Sequence, residues 1–223
     1  MSKLEKITDL FGRVGAREAS VVLGLSAASR LLAVRVLQIV AITRDRLDPR
    51  YLELDGRFDA GFIDAEQLAA YVGSHPDLEM TPAFVRDAHA RGDLCYAIAD
   101  RGEIVSYGWY SNRPTAISDG LTFHFDTTYT YMYKGYTRPE YRGQRLHAVG
   151  MSRALDAVAR RGLAGLVSFV ERTNAASLRS VYRMGYAQVA KIAIMRAQGS
   201  HRILRLGGQP RPDVSVQRAA ATV

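Results

Sequence analysis

The chain has 223 residues, 48% hydrophobic and 23% charged, with 30 Lys and Arg against 22 Asp and Glu. That composition is globular and suits one sizeable domain with appendages, or two small ones, rather than a disordered or fibrous chain. One cysteine, Cys95, rules out an internal disulfide and argues against a cysteine-built metal site, and a reducing cytoplasm is the expected location.

The formal net charge of +8 admits nucleic acid, an anionic membrane surface, an acidic carrier protein or a phosphorylated cofactor as partner. It does not choose among them, because the arginines are scattered rather than blocked. The five histidines show no metal-ligand spacing, so no metal is expected.

Residues 1–18 are charged and amphipathic, unlike the apolar core of a signal peptide. Arg30 and Arg35 interrupt the most apolar window, Ser20–Ala41, whereas a membrane span needs about 20 largely uncharged residues. Lys3–Val14 and Ala16–Ala33 are predicted as helices, making an N-terminal helical extension over 1–34. The first strand is predicted at Arg35–Thr43, "RVLQIVAIT", and 45–56 reads as loop.

"DAEQLAAYVG" predicts a helix capped by Asp64, with Gln67 three residues on and Gly73 at its close. "TPAFVRDAHARG" predicts another, with Thr81 as cap, Pro82 in the first position and Gly92 as stop. Leu94–Ala99 and Glu103–Ser111 read as a hairpin about Arg101-Gly102, and 113–120 as loop. "LTFHFDTTYTYMYKGYT" reads as one long strand, its aromatics alternating at Tyr129, Tyr131 and Tyr133.

A helix is predicted at Arg145–Arg161. Leu146, Gly150, Ala154, Ala157 and Val158 share one face, and Ser152, Arg153, Asp156 and Arg160 the other. "AGLVSFV" predicts a short buried strand, Asn174–Met184 a helix closed by Gly185, and "YAQVAKIAIMR" and "HRILRL" two final strands. Residues 35–206 are thus the expected domain and 207–223 a flexible tail. The order predicts an α/β fold with a mixed sheet, since hairpins force antiparallel pairs and crossovers parallel ones.

The stretch "TRPEYRGQRLHAVGMSRAL", Thr137–Leu155, runs strand, short basic loop, helix. That arrangement suits a phosphate, because a helix entrance presents unpaired N–H groups and partial positive charge. Gly143 permits close backbone approach, and Arg142 and Arg145 add charge-assisted bonds.

"TRPEYRGQRLH" resembles the acyl-CoA pyrophosphate loop of the GNAT N-acyltransferase superfamily, and "NAASLRSVYRMGY" resembles that family's Asn-led helix with its closing Gly185-Tyr186 pair. The resemblance covers roughly 64–206. It implies a mixed, mostly antiparallel central sheet flanked by helices, with a V-shaped opening between the family's fourth and fifth strands for acetyl-CoA or another acyl-CoA. Backbone groups of Tyr136, Thr137 and Arg138 would pair with the pantetheine arm. Arg142 and the amides of Gly143, Gln144, Arg145, Leu146, His147 and Ala148 would hold the pyrophosphate, with Asn174 on the other side.

Two departures stand out. Arg145 and His147 occupy positions where the family loop has small residues. Val181 stands where many members have an acidic tyrosine, and Tyr182 follows about 100° further around the helix.

Transfer to an amine needs a general base. Glu171, at the end of the "GLVSFV" strand, is the leading carboxylate, with His124 and Asp126 as alternatives, while Tyr182 is the candidate acid. Tyr131 and Tyr133 are expected to line the acceptor cleft, and Trp109 to fill core. The expected function is an N-acyltransferase, foremost an acetyltransferase, acting by direct transfer on an amine-bearing small molecule or protein. The alternatives are a transferase using acyl carrier protein and a non-catalytic acyl-CoA sensor. Nucleic acid ranks last, with no matching motif. The extension 1–34 is expected to pack on the domain, form a homodimer contact or lie on a membrane surface.

Overall fold

Alternating apolar and β-branched residues form strand β1 (Val34–Thr43) in the computed structural model. The structure describes residues 34–118, 120–197, 200–209 and 212–218, together with Ser20. The predicted extension over 1–34 lies outside the described residues apart from Ser20 and Val34. No helix among the described residues is long and apolar enough to cross a membrane.

Helix α1 (Ala65–Gly73) starts where predicted, with the Asp64 carboxylate accepting from the N–H groups of Glu66 and Gln67 at 2.9 and 3.1 Å. Helix α2 (Pro82–Ala90) starts with the Thr81 hydroxyl accepting from Phe84 N–H at 3.1 Å. Their inner residues Leu68, Val72, Val85 and Ala88 are buried against the hairpin β3 (Leu94–Asp100) and β4 (Glu103–Ser111). Trp109 fills that core, and its indole N–H contacts Met80 Sδ at 3.2 Å.

After β7 (Tyr129–Thr137) the chain forms helix α3 (Leu146–Arg160), β8 (Gly165–Glu171), helix α4 (Ala175–Arg183), β9 (Ala187–Ala197) and β10 (Ser200–Gly208). The large sheet has the order β10-β9-β1-β8-β7-β4-β3-β2, with β2 at Phe58–Ile63. Its described pairings are antiparallel except β7 with β8. Leu155, Val158, Leu178 and Val181 pack α3 and α4 on one face. Helices α1 and α2 cover part of the other face. A second sheet, of β11 (Val214–Arg218), β6 (Leu121–Phe125) and β5 (Thr115–Ser118) in that order, covers the rest.

Several expectations are corrected. The sequence predicts no element over 57–63, yet β2 forms there; Asp59 and Gly61 blur its alternation, and among the described residues β3 is its only strand neighbour. The loop 113–120 contains strand β5 (Thr115–Ser118). The single long strand is two: the Asp126 carboxylate accepts from the N–H and hydroxyl of Thr128 at 3.0 and 2.8 Å, and this turn sends β6 (Leu121–Phe125) into the second sheet. The tail includes β11 (Val214–Arg218), which pairs with β6 and buries Val214 and Val216. Ser152, placed on the helix face opposite Leu146 and Ala154, is buried.

Two features position the site. The β7–β8 register runs only from Tyr129 opposite Gly165 to Tyr131 opposite Val167. The Ser168 hydroxyl then donates to Met132 O at 2.8 Å, and the strands part. On the other edge of β7, Met132 faces Tyr110 and Lys134 faces Trp109. Tyr133 is therefore the extra residue of a β-bulge at the point of parting.

Candidate active site

The loop from β7 to α3 makes a short 3-10 turn (Pro139–Tyr141) and reaches Arg145 with φ 61° and ψ 11°, a left-handed conformation. No side chain among the described residues caps α3. Its first intrahelical bond is Val149 N–H to Arg145 O at 3.0 Å, so the N–H groups of Leu146, His147 and Ala148 have no acceptor one turn back in the helix.

These amides border a cleft of about 410 Å³ between the start of α3 and the flank of α4. Arg145, His147 and Ala148 line it on one side, and Ala176, Arg179, Ser180 and Arg183 on the other, with Tyr51 at its edge. Sequence reasoning missed Arg179 and Arg183. Their signal was present: they stand one helical turn apart, below Ala176. Three guanidiniums beside amides that lack an acceptor within the helix make an anion-attracting pocket.

The predicted loop residues divide. Arg145, His147 and Ala148 line the cleft. Arg142 instead folds back, its Nε–H donating to Thr137 O at 3.2 Å, and Gln144 accepts from Arg57 at 2.7 Å. Gly143 is exposed, with φ 84°, and Leu146 is buried on β4 with Val105 and Val149.

The side chains of the strand end are committed to structure. Tyr136 stacks on Tyr107, Thr137 Oγ1 meets Ser106 Oγ at 2.9 Å, and Arg138 bridges Asp77 at 2.8 Å and donates to Ile104 O at 2.7 Å. Past Tyr131, however, the β8-facing edge of β7 has no strand partner among the described residues. Asn174 caps α4, its Oδ1 accepting from Ser177 N–H at 3.1 Å.

His147 links cleft and strand. A Cβ on Gly135 of β7 would lie 2.3 Å from His147 Cε1 and 2.6 Å from Met132 Cε, so only glycine lets the imidazole settle there. Burial holds that imidazole below its usual pKa and favours the neutral ring.

On the opposite face, Tyr131 is enclosed by Phe123, Phe125 and Phe169, and is 2% exposed. It fills the interface with the second sheet instead of lining an open cleft. Tyr133 is half-buried on the bulge, and its hydroxyl donates to Asp93 Oδ2 at 3.0 Å. Glu171 Oε1 receives Arg35 Nε and an Arg35 terminal nitrogen at 2.9 and 2.7 Å. His124 and Asp126 belong to the second sheet and its turn.

Tyr182 is not brought to the opening. Its hydroxyl meets the Nε2 of Gln38 on β1, which lies beyond β8 from the opening. Val181 is buried in the core beneath α4.

A profile described as the acetyltransferase (GNAT) family matches residues 61–186, more than half of the chain. A GCN5-related N-acetyltransferase from Sphaerobacter thermophilus is 15% identical, with 83% of this chain and 57% of that one covered, at a TM-score of 0.51. A GNAT-family acetyltransferase from Colwellia psychrerythraea is 15% identical over 82% of this chain and 60% of its own, at 0.50. YncA from Salmonella typhimurium, solved with acetyl-CoA, is 18% identical over 71% of this chain and 99% of its own, at 0.43. Against several of the longer solved chains the match spans less than two thirds of their length, 63%, 57% and 65% in three cases. No curated protein matches.

Proposed function

The chain belongs to the GNAT acetyltransferase family, and from that premise we propose that it transfers an acyl group, foremost acetyl, from acyl-CoA directly to an amine. The observation that carries the reading is the uncapped entrance of α3 opening on Arg145, Arg179 and Arg183.

The residues present fit the phosphate end of the donor. Arg145 keeps the left-handed backbone that a glycine adopts freely, at a cost of roughly 1–2 kcal/mol, and adds a charge in return. The first-turn amides and the guanidiniums would bind the pyrophosphate and the neighbouring phosphate. The unpartnered edge of β7 would hold the pantetheine amides, and that arm would run past the neutral His147 ring. Bound there, the donor supplies a thioester carbonyl open to attack by nitrogen.

The acceptor would approach from the face that carries Tyr133 and Glu171. Glu171 is partly exposed at the strand end, with its charge shared with Arg35, and its proposed part is electrostatic, setting a negative charge beside the path of a cationic amine.

Thiol release from acetyl-CoA over a set of amines tests the reading, with calorimetry for CoA binding. Turnover with at least one amine is expected. Val181, standing where the family often has an acid, favours a second reading: an acyl-CoA-binding protein without turnover. Tight CoA binding with no thiol release from any amine would establish that alternative. Release from acyl carrier protein but not from acetyl-CoA would move the donor to the carrier.

A further inference from the structure

Asp93 is a buried carboxylate that the cofactor cleft does not use. It sits between α2 and β3 and is 3% exposed. Its Oδ2 accepts from the Tyr133 hydroxyl at 3.0 Å and from Arg91 at 2.9 and 3.2 Å. Its Oδ1 has no partner among the described residues. A buried acceptor left unpaired is rare in folded proteins and calls for a role.

The backbone of Tyr133 lies at the opening, and its hydroxyl reaches this carboxylate. It is the bulge residue where β7 and β8 part, and bulges commonly re-aim side chains beside active sites. Its ring contacts both the α1–α2 core and the aromatic cluster under the second sheet. Burial first, and then the Asp93 charge, hold its phenol protonated. The hydroxyl hydrogen is committed to Asp93 and the Arg91 guanidinium faces the same oxygen, which leaves one phenolic lone pair for an incoming donor. The charged or titratable groups facing it are Asp93, Arg91 and Tyr131.

We propose that Tyr133 and Asp93 form the proton relay that deprotonates the acceptor amine, with Tyr133 as the catalytic residue and Asp93 as the group that positions it and stores the proton. The proposal rests on the acyltransferase reading. The acceptor ammonium passes one proton to the Tyr133 oxygen as the phenol proton moves to Asp93 Oδ2. The phenol is regenerated and the carboxylate becomes neutral acid. The amine lone pair attacks the thioester carbonyl carbon; an N–C bond forms and the C–S bond breaks. The second proton lost by nitrogen goes to the departing thiolate, giving thiol. Asp93 then returns its proton through Tyr133 to solvent. No redox partner is needed.

The test compares two acceptors with acetyl-CoA at neutral pH. Ethanolamine is an ammonium there and needs a base; hydroxylamine is already neutral and does not. Asp93→Asn and Tyr133→Phe should each lower kcat with ethanolamine about 100-fold, but with hydroxylamine by less than about threefold. The KM for acetyl-CoA should stay within about twofold, and the double variant should be no worse than either single one, as for groups acting as a unit. Equal losses with both amines would make the pair structural and overturn the relay, as would full ethanolamine activity in Tyr133→Phe. Thermal unfolding checks each variant; if Asp93→Asn does not fold, Tyr133→Phe alone decides. If ethanolamine is not accepted, the best acceptor of the wider amine set that is an ammonium at neutral pH takes its place; if the wild-type protein binds acetyl-CoA but releases thiol with no amine of that set, the acyltransferase reading fails and the relay fails with it.

Discussion

Helices α3 and α4 pack on the same face of the large sheet, yet their entrances are built differently. At α4, Asn174 turns its own side-chain oxygen onto Ser177 N–H, as Asp64 and Thr81 do for α1 and α2. At α3 no side chain does this, and the residue in the capping position is an arginine held in a left-handed conformation. A capped entrance is complete by itself. An uncapped, arginine-flanked entrance beside a cleft holds its donors in reserve, and the backbone at Arg145 bears a conformational cost that the fold alone does not require.

The largest expected effect comes from closing the space that lets α3 approach β7. Gly135→Val should drive methyl groups into His147 and Met132, costing about 1–3 kcal/mol by overpacking and weakening CoA binding as well. Urea unfolding and calorimetry check both. Unchanged stability would mean that His147 moves aside without cost.

Next come the arginines. Arg145→Ala and Arg183→Ala should each weaken CoA binding by about 1–2 kcal/mol, roughly five- to thirtyfold, with turnover at saturating acyl-CoA nearly unchanged. Arg145→Gly sharpens the contrast: affinity should fall as with alanine, while the melting temperature should exceed that of Arg145→Ala because glycine relieves the left-handed backbone. Equal melting temperatures would sink the claim that Arg145 is strained.

Asn174→Ala should do the reverse, costing about 1 kcal/mol of stability and changing CoA affinity less than about twofold. A tenfold loss of affinity would show that Asn174 contacts the donor after all.

Smallest is Glu171→Gln. Its pair with Arg35 is partly exposed, so stability should change by less than about 1 kcal/mol and thiol release by less than about threefold. A loss of about 100-fold with a flattened alkaline limb would make Glu171 the general base and displace the relay.

The reading from sequence succeeded where local chemistry dictates structure. Asp64, Thr81 and Asn174 announce helix starts, the Arg101-Gly102 turn announces its hairpin, and the basic loop after Thr137 announces α3. It faltered where partners are distant. Nothing near Val214 reveals that it will pair with Phe125, and a single Asx turn at Asp126 divided what alternation presented as one strand. In the site, Arg145 and His147, both named from the loop, line the cleft. Arg142, named with them, bonds back to Thr137 O, because charge in a motif does not say which way a side chain folds. Asp93 left no signal, since its link to Tyr133 spans 40 residues and depends on a bulge that only strand register shows.

Strand β1 lies between β8 and β9, with Leu37 opposite Glu171 on one side and Ile192 on the other. Its ion pair with Glu171 spans 136 residues. A ribosome adding about 5–20 residues per second needs on the order of ten seconds to cover that distance. Through that interval a strongly apolar segment waits with both hydrogen-bonding edges open, a template for pairing with other nascent chains. The large sheet cannot close during synthesis of its first half. Its assembly is a late event governed by long-range pairing, and chaperone occupancy of residues 34–43 should decide how much chain reaches the native state.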